Sequence, residues 1–213
     1  TDQAASRALG LAMLDLMREQ QNEYGFIPSQ AGSSWLKNSY NIDPGYYDTR
    51  FNTDFWLANL NAVQNFGVTG WLDKTRKYAD FLTDFAEKYH FALGSGESEG
   101  WLVQDYWHPN GHGQPTHASL NHHAAEAVFL YRFADTTGED SYAALADRMV
   151  RGIEQSEALW CKSNGDLYYS YDPNGTCSGQ DYPYLTYNDL LELQRLYAAR
   201  HGQPNAVLTR LMQ

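Results

Sequence analysis

The residues able to do chemistry in this 213-residue chain gather in three stretches. The first holds Trp35, Tyr40, Tyr46, Tyr47, Asp48, Arg50 and Asn52. The second holds Gln104, Asp105, Tyr106, Trp107, His108, His112, His117, Asn121, His122 and His123. The third holds Tyr168, Tyr169, Tyr171, Asp172, Asp181, Tyr182, Tyr184, Tyr187, Asn188 and Asp189. Such a mixture suits proton transfer. A phenol can act as acid or base, but as a base its ordinary pKa of about 10 must be lowered by a nearby positive group. Arg50 and the loop histidines are the candidates for that group. Abstracting a proton next to a carboxylate further needs an acid on the opposite face and a cationic or hydrogen-bonding group to hold the carboxylate. Asp48, Asp54, Asp105, Asp172, Asp181 and Asp189 are candidates for a sugar-cleaving carboxylate pair. Helix capping is the competing role for Asp189 and Asp140, turn formation for Asp172, and core packing for each tyrosine.

Other chemistries lack their motifs. There is no HExxH and no CxxC, and Pro109-Asn110-Gly111 breaks any helix between His108 and His112, so no metal is expected. GxSxG, the P-loop and GxGxxG are absent too, and no cofactor is expected.

Three glycines, Gly67, Gly138 and Gly202, each close a strongly helical stretch and read as helix ends that need φ > 0. Trp71 and Tyr142, four residues after the first two, open second helices. Tyr142, Leu145, Ala146, Met149, Val150 and Ile153 make one apolar stripe, whereas the helix before them is apolar nearly all round from Ala124 to Phe133. Each unit thus pairs a buried inner helix with an amphipathic outer one. Second markers, Gly25-Phe26-Ile27, Gly100-Trp101-Leu102 and Gly165-Asp166-Leu167, precede the closing glycines by 42, 38 and 37 residues. Helices are expected near 4–22, 52–66, 71–90, 118–137, 140–157, 186–201 and 204–213, with extended pieces near 101–107 and 166–172. The fold class is therefore all-α: one domain, 1–213, of repeated α-hairpins (units about 1–67, 68–138 and 139–213). It forms a partial α/α toroid of three to four hairpins with short β-hairpins in the loops. The long loops all join outer to inner helices, so they share one end of the arc.

The net charge of -11 argues against nucleic acid and anionic membranes as partners. No apolar run reaches membrane-spanning length. The 16 tyrosines and 6 tryptophans offer flat faces with polar edges, which suit sugar rings. Cys161 and Cys177 flank a turn-rich segment, and a disulfide there, worth about 3 kcal/mol, is expected. With the Asn174-Gly175-Thr176 sequon it favours a secreted or cell-surface protein. The chain opens on Thr1 rather than Met, which reads as a processed or trimmed polypeptide.

Several segments carry a family resemblance: Ala118-Ser119-Leu120-Asn121 followed by Phe129-Leu130-Tyr131 and Thr136-Thr137-Gly138-Glu139, then Ser163-Asn164-Gly165-Asp166-Leu167-Tyr168, then Asp181-Tyr182 with Asn188 and Leu190. From roughly Gly100 to Gly202 the chain resembles the C-terminal helical domain of the glucuronyl C5-epimerases, which invert uronic acid residues within heparan-type polysaccharides. The resemblance implies that Asp105-Tyr106 matches the family's acidic-tyrosine pair and that Tyr168 and Tyr182 line the cleft. The expected catalytic set is Tyr106, Tyr168, Tyr182 and Asp105, and the expected sugar-binding set Tyr47, Arg50, Asn121, His123 and Asn188. The sequence departs from the family at Asp105, where the family has Glu, and at Pro183 and Tyr187, where it has histidines. The family's β-rich domain has no counterpart here. The expected function is to act on, or bind, uronic-acid-containing polysaccharide by tyrosine-mediated proton abstraction. The alternatives are a non-enzymatic, self-assembling extracellular protein and a polysaccharide lyase or glycoside hydrolase. The partners are then a polysaccharide or glycan and either a second copy or a β-rich domain.

Overall fold

The computed structural model describes residues 3–213. Helix α1 (Gln3–Arg18) stops four residues before the expected limit, because turns follow at once and the Asn22 side chain accepts the backbone N–H groups of Tyr24, Gly25 and Phe26. A short helix that periodicity does not reveal, α2 (Ser34–Tyr40), comes next. Ser33 caps it by accepting from the Leu36 N–H, and Asn41 ends it at φ 57°. Strand β1 (Tyr47–Asp48) leads into α3 (Thr49–Phe66), and the Asp48 carboxylate caps α3 by accepting from the Phe51 N–H at 3.0 Å.

Then follow α4 (Leu72–Lys88), β2 (His90–Leu93), β3 (Gly100–Val103), β4 (Tyr106–Trp107) and β5 (Ala118–Ser119). The chain continues through α5 (Leu120–Thr137), α6 (Asp140–Trp160), β6 (Ser170–Tyr171), β7 (Cys177–Ser178), α7 (Pro183–His201) and α8 (Ala206–Leu211). Gly67, Gly138 and Gly202 end α3, α5 and α7 at φ 68°, 76° and 76°, as the helix-end reading requires.

Helix α5 is the centre of the core. Its apolar residues surround it because α3, α6 and α7 all pack on it, which leaves no side for water. Helix α6 packs on α5, β3 and α8 with the stripe Tyr142, Leu145, Ala146, Met149, Val150 and Ile153, so its other face stays wet.

The second glycine markers are not equivalent. Gly25 needs φ +114° and touches the Lys77 carbonyl, whereas Gly165, at φ +91°, faces open space. Gly100 instead permits close approach: a Cβ there would lie 2.1 Å from the Gly152 nitrogen, and one on Gly152 would lie 2.1 Å from the Trp101 oxygen. Strand β3 thus crosses α6 backbone to backbone.

The strands differ from the expected local hairpins. β2 pairs antiparallel with β3, from His90 opposite Val103 to Leu93 opposite Gly100, and β6 with β7. The other two pairings join separate loops: Asp48 sits opposite Tyr106 in β1–β4, and Ser119 opposite Ser170 in β5–β6. The expected disulfide is absent, and Cys161 and Cys177 are both free thiols. Their backbones are held on different ladders, Cys161 against Leu167 and Cys177 against Tyr171. No helix among the described residues is long and apolar enough to cross a membrane.

Candidate active site

The two cross-loop pairings tie the three polar stretches together at Asp105. Its carbonyl accepts from the Thr49 N–H at 3.0 Å, and its N–H donates to the His117 carbonyl at 2.8 Å. Its carboxylate, 1% exposed, accepts the Ser119 N–H at 2.8 Å and the Ser119 hydroxyl. Two imidazoles flank it: His117 Nε2 lies 3.1 Å from Oδ2 and His122 Nδ1 lies 3.4 Å from the same oxygen. The far nitrogen of His117 lies 2.7 Å from the Tyr40 hydroxyl, and His122 Nδ1 also lies 2.9 Å from Thr49 Oγ1. Among the described residues no group of three or more His, Cys, Asp or Glu is arranged to hold a metal ion.

Burial by itself would raise the Asp105 carboxyl, but His122, His117 and the Ser119 hydroxyl outweigh it and hold the group below its ordinary value. Burial would likewise lower His117, but Asp105 outweighs it and raises the imidazole. The pair is therefore a buried carboxylate facing a proton-retaining imidazole. Asp48, next along, is raised by burial and by Asp105.

Tyr106 and Tyr169 complete the cluster. The Tyr106 ring meets His117 at 5.7 Å and His122 at 6.1 Å, and the Tyr169 ring meets them at 5.8 and 6.5 Å. Burial and Asp105 both push these phenols far above their ordinary value. This reverses the expected lowering by a positive group. Both tyrosines stay protonated and can only donate. The rim is aromatic: Trp35, 48% exposed, stands edge-on to Tyr106, and Tyr182, 60% exposed, stands edge-on to Tyr169.

The expected residues divide accordingly. Asp105 and Tyr106 lie in the cluster, and Tyr182 lies at its rim. Tyr168 does not join them: it carries Lys162 over its ring at 5.1 Å, while its neighbour Tyr169 faces the cluster. Tyr47 is fully buried among Phe26, Tyr78, Phe81 and Phe85, so it cannot meet a sugar. His123 is fully buried too, held between the Met149 carbonyl and the Val103 N–H, and burial lowers it to about 4, so it is neutral. Arg50 reaches the Asn121 carbonyl at 3.2 Å and forms ion pairs with Asp54 at 2.9 Å and Asp189 at 2.5 Å. Asn121 is buried with its side-chain oxygen unpartnered, and Asn188 is exposed. Asp189 is no cap; it is the partner of Arg50, while Asp140 pairs with Arg200 at 3.0 Å. His117, His122, Asp48 and Tyr169 carry more of the site than the sequence assigned them, and Tyr40 enters through α2. The largest cleft described, about 920 Å³ between α1 and α3, is lined by residues such as Arg7, Met13, Asn61 and Phe66 and has no carboxylate or imidazole.

Comparison with known proteins places this geometry in context. No protein-family model matches the chain, and no curated protein matches it in sequence. Solved structures do share its fold. One is a D-mannose isomerase, at 15% identity with TM-score 0.66 over 99% of this chain and 54% of that one. Another is the unsaturated glucuronyl hydrolase of Bacillus sp. GL1, at 16% identity and TM-score 0.61 over 98% of this chain and 53% of that one. A third is a sugar epimerase from a ruminal bacterium, at 11% identity and TM-score 0.62 over 94% of this chain and 48% of that one. These neighbours are carbohydrate-processing enzymes of the α/α toroid type. The chain is mostly helical, shares their fold over its length, and spans about half the length of the structures it matches. The likeness fits an epimerase-like fold but does not single out the glucuronyl C5-epimerases.

Proposed function

We propose that the loop end of this chain is a glycan site that carries out acid–base chemistry on a sugar. The observation that carries this reading is the Asp105 carboxylate, bracketed by His117 and His122 and edged by two neutral phenols. In this reading an imidazole oriented by Asp105 takes a proton in its neutral form and returns it as imidazolium. Tyr169, half-buried at the surface of the cluster, donates one from its protonated phenol. Asp105 is a positioning residue, because it is itself shut away from a ligand. Tyrosine-mediated epimerisation, the finer form implied by the family resemblance, then uses tyrosine as the acid rather than the base.

The test is incubation with oligosaccharides in heavy water. Deuterium entering a ring carbon without new ultraviolet absorbance marks epimerisation or isomerisation. Absorbance at the unsaturated-uronate band marks a lyase, and new reducing ends mark hydrolysis. Asp105→Asn should abolish whichever signal appears. No signal from folded protein across neutral and uronic substrates refutes the catalytic reading.

One observation favours a second reading, a self-assembling scaffold. α1 exposes Leu9, Met13, Leu16 and Met17, and α7 exposes Tyr184, Leu185 and Leu191. A monomer by light scattering at high concentration counts against it.

A further inference from the structure

We infer that the sugar taken at the Asp105 cluster is neutral and not a uronate. This rests on the glycan reading above and names its substrate class. A site for a sugar carboxylate must offer an unmatched cation or a free fan of N–H donors. Among the described residues the cations beside the cluster face carboxylates, and the leading N–H groups of the adjoining helices are taken.

The cations come first. Of the 15 lysines and arginines in the chain, the outer-to-inner loops and their immediate edges bring only Lys37, Arg50, Lys88 and Lys162 to this end. Lys37 is paired with Asp43 at 2.8 Å. Lys162 lies over Tyr168, which is turned away from the cluster. Lys88 lines a separate cleft with Trp107, and successive strand residues place Trp107 on the face of β4 opposite Tyr106. Among the described residues Arg50 is the Lys or Arg beside the site, and Asp54 and Asp189 both hold it. Two carboxylates on one guanidinium leave that locus negative. The imidazoles His117 and His122 share one Asp105 oxygen, and Asp48 also acts on His122, so two carboxylates stand against the two rings.

The N–H donors come second. The starts of α3 and α5 both adjoin the cluster, and their leading N–H groups are taken: Thr49 donates to the Asp105 carbonyl and Leu120 to the Tyr169 carbonyl. Asp48 accepts the Phe51 N–H, and Asp105 accepts the Ser119 N–H. A uronate arriving here would meet the partly exposed Asp172 and Asp189 and the field of the buried Asp48 and Asp105. A neutral pyranose meets the same groups favourably. Its hydroxyls can donate to Asp172 and Asp189, and its apolar face can lie on Trp35 or Tyr182.

Binding is measured by calorimetry on the wild-type chain with matched hexasaccharides. These are β-1,4-glucose and β-1,4-mannose oligomers against their C6-oxidised counterparts, each at low and high salt. The neutral member of at least one pair is expected to bind about tenfold or more tighter, since juxtaposed like charges weaken binding strongly. That gap should narrow as salt screens the field. Asp189→Asn, which removes one of the two carboxylates on Arg50, should narrow it too. Equal or tighter binding of the oxidised members by the wild type overturns this inference and leaves the glycan reading standing. No binding by any of the four probes overturns the glycan reading and this inference with it.

Discussion

Glu126 offers the sharpest physical test of the structure. It lies on α5 beneath the cluster, 1% exposed, with Oε1 unpartnered and Oε2 3.9 Å from the neutral His123. Burial pushes its carboxyl well above the usual 4.5, and Asp105 and Asp48 add to the effect. The folded chain therefore keeps a proton that the unfolded chain releases. Stability from this group is fully present below the unfolded value and is lost as pH rises. The loss runs at about 1.4 kcal/mol per pH unit until the folded carboxyl itself titrates. Glu126→Gln keeps the shape and removes the proton equilibrium. Urea unfolding of both proteins at pH 5, 6 and 7 isolates this site, because groups common to both cancel in the difference. Between pH 5 and 7 wild type should steadily lose stability relative to Glu126→Gln, at a rate no steeper than that limit. A difference that does not change with pH would mean that the carboxyl is ionised in the fold, and the description of the buried cluster would be wrong.

Two further outcomes follow from the packing and the cluster. Gly152→Ala drives a Cβ to 2.1 Å from the Trp101 oxygen, backbone against backbone. It should cost about 3 kcal/mol or more, while Gly10→Ala on α1, with nothing within 4 Å, should be neutral or slightly stabilising in the same thermal melts. Tyr169→Phe should lower kcat about a hundredfold or more, because it removes the donor. Tyr168→Phe should leave kcat nearly unchanged, and equal losses in the two variants would refute the assignment of sides.

What the sequence reveals depends on the range of the interaction. Helix α5 is legible because apolar residues on every side permit only a buried helix, and Gly67, Gly138 and Gly202 are legible because a left-handed turn is a local demand. Helix α2 has only seven residues, too few for a period to show, and its one local sign is the capping Ser33. The site depends on register between distant strands. Asp48 opposite Tyr106 puts both on the cluster side of β1–β4, while Tyr47 opposite Trp107 puts that pair on the core side. A motif can mark Tyr168, but a single step along an extended chain exchanges its face with that of Tyr169. The resemblance marks residues of the right type and cannot fix that step.

The same non-local closure decides the chemistry. A tyrosine beside histidines reads, in sequence, as a base whose proton the imidazoles help remove. Folding inserts Asp105 between those histidines, and burial together with its carboxylate acts on both phenols. The field at Tyr106 and Tyr169 is then that of a buried carboxylate, which holds the phenolic protons in place. A cluster so arranged can donate through tyrosine and accept through imidazole. The cation beside it among the described residues, Arg50, is already held by two carboxylates.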